Sequence, residues 1–191
     1  MTTDYYEQNA QDFFDGTVEV DMSVLYDCFL PLVPKQGSIL DAGCGSGRDA
    51  LFFKNKGYEV TAFDASEALC ELASELLNQT VECMRFNEMK RQGEFDAVWA
   101  CASLLHVPKA ELLGSISALI GSLKPDGVMY CSFKFGEGER ESGGRFFTDM
   151  TEESFRSLMN DIRPEAEVET WITEDQRPDR NESWLNAIIR L

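Results

Sequence analysis

The chain has 191 residues, 43% of them hydrophobic and 27% charged, with a formal net charge of −17. That length fits one domain with a substantial core, and the composition is that of an ordinary globular protein. The charge counts against nucleic acid as a partner, because DNA and RNA ask for a basic stripe and only Lys90-Arg91 and Arg177 to Arg180 concentrate positive charge.

No apolar run exceeds strand length, so no membrane span is expected. The opening Met-Thr-Thr-Asp-Tyr-Tyr-Glu lacks the basic and apolar regions of a secretory signal. Six scattered cysteines (Cys28, Cys44, Cys70, Cys83, Cys101, Cys131) form no CxxC pair. With a single histidine they point to a reducing cytoplasm and to no metal site.

Asp4–Leu32 is expected to be helical in two pieces broken near Gly16-Thr17, and residues 1–36 to form a cap on a core of residues 37–191. Ser38–Ala42 reads as a buried strand, Asp49–Lys56 as a helix closed by Gly57, and Tyr58–Phe63 as a strand. Ser66–Leu77 follows as a helix and Val81–Phe86 as a strand. Phe95–Ala102 is a long apolar strand. Pro108–Leu123 is a helix with proline in its first turn and Leu112, Leu113, Ile116, Leu119, Ile120 and Leu123 on one face. Lys124-Pro125-Asp126-Gly127 stops that helix, and Gly127–Phe135 is the next strand. Gly136–Gly144, rich in Gly, Glu and Ser, is expected as a mobile loop. Thr151–Asn160 is a helix capped by Thr151. Val168–Glu174 and Trp184–Leu191 read as closing strands joined by a polar turn around Pro178. Strands and helices alternating at this rhythm mean βαβ units. The expected fold is α/β and Rossmann-like: a doubly wound, mostly parallel, seven-stranded sheet with an antiparallel last strand, flanked by helices.

Chemistry concentrates in Ile39-Leu40-Asp41-Ala42-Gly43-Cys44-Gly45-Ser46-Gly47-Arg48-Asp49. Strand, glycine turn and helix start form a geometry in which backbone N–H groups cradle a nucleotide-like cofactor. A tight strand-to-helix connection is the plainer reading of the glycines alone. Two acids narrow the choice. Asp41 at the lip of the turn would repel a pyrophosphate, but suits the ammonium and sulfonium of S-adenosylmethionine (SAM). Asp64 closes the next strand, where an acid is placed to chelate two ribose hydroxyls; its alternative role is to cap the following helix. The nicotinamide fingerprint also wants a third glycine where Arg48 stands.

The segments ILDAGCGSGRDA, VTAFDAS, FDAVWACASLLHVP and LKPDGVMYCSFK, in that order, resemble the motifs of class I SAM-dependent methyltransferases. The likeness is closest to the small single-domain bacterial type, grouped with type-11/12 and tellurite-resistance-like enzymes, and YYEQNAQDFFDGT resembles their cap. The resemblance implies that Asp41, Gly43, Cys44 and Gly45 hold the methionine end of SAM. Asp64 would take the ribose hydroxyls and Ala65 would lie against adenine. Asn87 stands where the family often has an aspartate meeting the adenine amino group. Ala100, Cys101 and Ser103 would line the methionine side. Arg48 is a candidate for the SAM carboxylate, with a salt bridge to an acidic neighbour as its alternative. The product would be S-adenosylhomocysteine (SAH).

Further candidates sit at the carboxyl ends of strands. His106 follows the fourth strand as a general base or as a helix-start residue. Lys134 ends the fifth strand, where lysine ordinarily faces solvent. Arg145 is placed to meet an anionic substrate or Asp149. Tyr5, Tyr6 and Phe14 are candidates for an aromatic lid over the sulfonium, or for core. Trp171 and Trp184 read as packing. The expected acceptor is a small soluble molecule methylated on O, N, S or a chalcogen. An RNA or protein acceptor, or a silent SAM-binding module, are the alternatives.

Overall fold

Residues 2–175 and 182–191 are described by a computed structural model. The polar turn around Pro178, with Arg177 and Arg180, lies outside them. The sheet comprises β1 (Ser38–Ala42), β2 (Glu59–Asp64), β3 (Glu82–Cys83), β4 (Phe95–Ala100), β5 (Leu123–Lys134), β8 (Glu167–Glu174) and β9 (Ser183–Arg190). A separate hairpin pairs β6 (Gly138–Ser142) with β7 (Arg145–Asp149). Helices α1 (Thr2–Gln8), α2 (Ala10–Thr17) and α3 (Ser23–Phe29) precede the sheet. The others are α4 (Arg48–Asn55), α5 (Glu67–Leu77), α6 (Lys109–Gly121) and α7 (Glu152–Ile162).

Strand order is β3-β2-β1-β4-β5-β9-β8, with β9 antiparallel to both neighbours and the other pairings parallel. The sheet expected from the βαβ rhythm is therefore the one observed. Both faces are buried, because alternate residues of one strand point to opposite sides. Ala97 and Trp99 of β4 face α3 and Phe53 of α4, while Val98 and Ala100 face Leu112, Ile116 and Leu119 of α6. On the first side the Trp99 and Tyr130 rings stack at 4.0 Å, with Phe29 at 4.9 Å from Trp99. This aromatic layer fixes the inner strands beneath the site.

Local readings needed correction where tertiary partners override composition. Gly136–Gly144 is no open loop: Gly138–Ser142 pairs with Arg145–Asp149, and Gly143 and Gly144 take the left-handed backbone of a tight hairpin turn. Val81–Phe86 shortens to the two-residue β3, followed by a 3-10 turn at Phe86–Glu88. The N-terminal stretch makes three helices, with a break at Asn9 and a second after Thr17. Helix α6 starts at Lys109 with Pro108 before it, and Leu113 is 47% exposed, off the buried face. The expected stop at Lys124–Gly127 is a bulge inside β5: Phe95 pairs with Leu123 and Ala97 with Val128, leaving Asp126 left-handed.

Candidate functional site

Two cavities open at the carboxyl ends of β1 and β4, where the order of strands reverses. The larger, about 460 Å³, is bordered by Asp64, Ala65, Met84, Phe86, Asn87, Ser103 and Thr3. The smaller, about 180 Å³, is bordered by Cys44, Arg48, Asp49, Cys101, Leu105, Lys134, Arg145 and Trp184. Tyr6, Phe13, Gly43, Gly45, Ala102 and His106 border both and form the neck between them.

The glycine turn is shaped by its surroundings. Gly43 and Gly45 have φ of 77° and 54°. A Cβ on Gly43 would come within 2.5 Å of Ser103 Cβ, and one on Gly45 within 3.0 Å of Phe13. Contrary to expectation, the N–H groups of the turn do not form an open cradle. Gly43 and Cys44 both donate to Phe63 O at 2.9 Å, and Gly45 donates to Asp64 Oδ2 at 2.9 Å. With those donors used internally, the turn is unsuited to pyrophosphate.

Asp64 also accepts from the Ser66 N–H at 3.0 Å, so two backbone amides fix the carboxylate at the edge of the larger cavity. Burial pushes its carboxyl above the usual range, against the pull of those amides. Helix capping, its alternative role, falls to Ser66, whose Oγ accepts from the Leu69 N–H.

Asp41 is 2% exposed and borders neither cavity; it lies behind the turn at the end of β1. Its Oδ2 has no hydrogen-bond partner among the described residues, and burial together with the Asp49 carboxylate raises its carboxyl well above the ordinary value. Ala100 is fully buried and also borders neither cavity, while Cys101 borders the smaller. Ser103 donates to Ala42 O at 2.6 Å, tying the end of β4 to β1.

Arg48 grips Asp49 through Nε and Nη2 at 2.6 and 3.0 Å while bordering the smaller cavity. Asp49 also accepts from Tyr26 and from Trp99 Nε1. Fully provided with donors, its carboxyl is held low despite burial, chiefly by Arg48. The salt bridge to an acidic neighbour, the alternative expected for Arg48, is thus present, while the Tyr26 and Trp99 bonds to Asp49 come from distant segments and were not foreseen.

His106 ends a 3-10 turn after β4 and sits in the neck. Its Nδ1 lies 2.7 Å from Phe146 O and its Nε2 2.9 Å from the Tyr6 hydroxyl. A carbonyl only accepts, so Nδ1 carries the proton and the Tyr6 O–H donates to Nε2. Burial, aided by Arg145 and Lys134, pushes the imidazole down to about 4. His106 is therefore neutral at pH 7.

Lys134 is 8% exposed rather than solvent-facing, and its ammonium pairs with Glu182 over the rings of Phe147 and Trp184. Arg145 does not pair with Asp149, whose carboxylate is taken by Arg140 at 2.6 Å. Instead its guanidinium lies 4.8 Å over Tyr5 and 5.3 Å from Phe147. The α2 aromatic that borders the cavities is Phe13, in edge contact with Tyr6 at 5.0 Å, and not Phe14. Trp184 borders the smaller cavity, beyond its expected packing role. Ala102, left-handed at φ 51°, was also missed; a strained alanine leaves no mark in a sequence. Among the described residues no group of three or more His, Cys, Asp or Glu could hold a metal, and no helix is long and apolar enough to cross a membrane.

This sheet order, with an acidic glycine turn after β1 and a second acid after β2, is that of the Rossmann-like fold found in solved SAM-dependent methyltransferases. Residues 39–127 match the methyltransferase domain family. The putative methyltransferase YqeM of Bacillus subtilis (strain 168) is 29% identical over 116 residues, 55% of this chain and 47% of that protein. The chain spans about half the length of the curated relatives it matches. Among solved structures, a similar fold is found in the 1,6-didemethyltoxoflavin-N1-methyltransferase of Burkholderia thailandensis, solved with 1,6-didemethyltoxoflavin and S-adenosylhomocysteine bound. It has a TM-score of 0.79 at 20% identity, covering 98% of this chain and 86% of that one. The cyclase SpnF has a similar fold too, with a TM-score of 0.69 at 18% identity, covering 87% and 79%.

Proposed function

We propose that the protein is a SAM-dependent methyltransferase acting on a small acceptor. The observation that carries this reading is the pair of cavities meeting at one neck, with Asp64 on one side and Arg48 on the other. The residues fit SAM better than a dinucleotide. The N–H groups of Gly43, Cys44 and Gly45 are turned inward, away from any phosphate, and the Asp64 carboxylate stands at the cavity edge instead.

In this reading Asp64 takes the ribose hydroxyls in the larger cavity, with Ala65 and Asn87 beside the adenine. Arg48, Cys44 and Cys101 face the methionine end in the smaller one, and Asp41 acts on the cation from behind the turn. When bound, SAM supplies an activated methyl group that a nucleophile takes by in-line displacement, so alignment provides most of the acceleration. Tyr6 and Phe13 from the N-terminal cap exclude water over the neck. His106 is neutral and its Nε2 lone pair takes the Tyr6 hydroxyl, so an acceptor that must lose a proton would reach this base by displacing that hydroxyl or through it.

The modest smaller cavity supports a small acceptor. A protein or RNA acceptor is the competing reading, and a charge of −17 counts against RNA. The fold that SpnF shares is a reminder that scaffold alone does not choose the reaction. Isothermal titration with SAM and SAH tests the proposal: binding of both, one per chain, is expected, and binding of neither overturns it. Mass detection of methylated products in a metabolite panel, with methylated RNA and protein as separate arms, then tests the acceptor.

A further inference from the structure

We infer that the hairpin wall of the smaller cavity carries an oxyanion subsite, built around Arg145, for a carboxylate or phenolate group of the acceptor. The inference rests on the methyltransferase reading and names the acceptor's chemical class.

Arg145 is the unmatched charge of this cavity. Lys134 is neutralised by Glu182 and Arg48 by Asp49, and Arg140, just outside, by Asp149. Among the described residues no carboxylate pairs with Arg145, and its Nε is buried without an acceptor. A buried guanidinium N–H left without a partner is costly and asks for an acceptor. The acids of the same cavity show the opposite pattern. Asp49 holds four donated bonds, Asp21 takes the Ser23 N–H, Glu174 the Ser183 hydroxyl and Asp175 the Trp184 N–H. Each acid is answered and one cation is not.

The rings of Tyr5 and Phe147 flank the guanidinium and hold it in place. Lys134 and Arg140 also lie against Phe147, and Arg145 and Lys134 both help to hold the neighbouring His106 uncharged. In a chain with twice as many acids as bases, 34 against 17, a guanidinium with no carboxylate partner among the described residues stands out. Leu105, Leu25 and Met22 add apolar surface to a wall that also carries Ser132, Thr173 and Asn186. The surface fits a small organic acid with an apolar body, its charged end at Arg145 and its nucleophile toward the neck.

An anion at Arg145 has two possible sources, the acceptor or the methionine carboxylate of the cofactor. Arg48, on α4, is a separate candidate for the latter, so the two arginines are separable by mutation. The test titrates benzoate and its neutral isostere benzamide into the chain with and without saturating SAH, followed by ligand-observed NMR and thermal shift. Benzoate is expected to bind and benzamide to bind about tenfold more weakly, the factor one charge-assisted pair provides. Arg145→Gln should remove the preference while SAH affinity stays within about threefold. Arg145→Lys keeps the charge and should restore part of it, which separates loss of the site from loss of the fold. Equal binding of the two probes, no binding of benzoate, or a preference intact in Arg145→Gln each overturn the inference. A tenfold loss of SAH affinity in Arg145→Gln overturns it too, assigning the anion to the cofactor. Failure of SAH to bind wild type sinks the methyltransferase reading instead, and the cofactor-free arm still decides whether Arg145 selects anions.

Discussion

The Tyr6 hydroxyl donates to His106 Nε2 across 2.9 Å, joining the first helix of the chain to the end of β4 at the narrowest part of the site. The pair is reinforced on both sides. His106 Nδ1 donates to Phe146 O of the hairpin, and the Phe146 N–H donates to Thr2 Oγ1 at 2.9 Å. Helix α1 and the hairpin are thus laced together over the neck. Glu7 holds the far side of α1 through the Glu67 N–H at 2.6 Å.

Tyr6→Phe removes one donor and leaves the His106 lone pair buried without a partner. An unsatisfied buried acceptor costs about 1–3 kcal/mol. Urea denaturation should show a lower midpoint with an unchanged slope. A midpoint equal to wild type would mean that water replaces the hydroxyl.

His106 should also impose a pH dependence. Its folded value, about 4, lies below the ordinary 6.5, so the unfolded chain binds the proton more readily. Above pH 6.5 the group costs nothing; as pH falls from 6.5 toward 4 its contribution declines, by about 3 kcal/mol at full protonation of the unfolded state. Buried Asp41 and Asp64, both raised, work in the opposite direction, so the comparison must be with His106→Gln. The difference in unfolding free energy between wild type and this variant should change across pH 4–6.5 and be flat above it. A constant difference throughout would show that His106 titrates normally in the folded protein.

Asp49→Asn should be among the most destabilising conservative changes. The amide keeps one acceptor where the carboxylate answered Arg48, Tyr26 and Trp99, and it leaves the Arg48 charge uncompensated. Breaking a buried pair from one side costs about 3–5 kcal/mol. Thermal and denaturant unfolding check this, and a loss below about 1 kcal/mol would place the Arg48 charge in solvent contact.

Asp64→Asn keeps the shape and one acceptor but removes the charge facing the larger cavity. If Asp64 holds ribose hydroxyls, SAH affinity should fall by about 1.5–3 kcal/mol, tenfold or more. Calorimetry gives the answer directly, and unchanged affinity would confine Asp64 to organising the turn through Gly45 and Ser66.

Much of this was legible in the sequence, for identifiable reasons. Ser38–Ala42, Ser66–Leu77 and the two closing strands announce themselves because apolar period and cap residues agree with burial. The glycine turn and Asp64 stand out because few residue types tolerate those backbones and positions. What stayed hidden depends on partners far along the chain. Gly136–Gly144 looks like a loop until Phe146 and Phe147 bury its return strand, and Lys134 looks solvent-bound until Glu182 meets it. Choosing Phe13 over Phe14 needs the roll of a short helix, which two adjacent phenylalanines do not specify.

Gly43→Ala separates two costs that the turn combines. At φ 77° any side chain is strained, by about 1–2 kcal/mol for a left-handed residue. The new Cβ would also lie 2.5 Å from Ser103 Cβ, and relieving that overlap means shifting a residue whose hydroxyl is bonded to Ala42 O. Overpacking of this kind adds about 1–3 kcal/mol. In a Ser103→Gly background the overlap is gone while the backbone strain remains, so Gly43→Ala should cost only the smaller part there. Unfolding free energies of the four proteins in this cycle, with SAH titrations on each, measure both terms. The single Gly43→Ala variant should be the least able to bind SAH, because a displaced Ser103 intrudes on the larger cavity that it borders. Equal costs in the two backgrounds would mean that the glycine is required for its backbone alone.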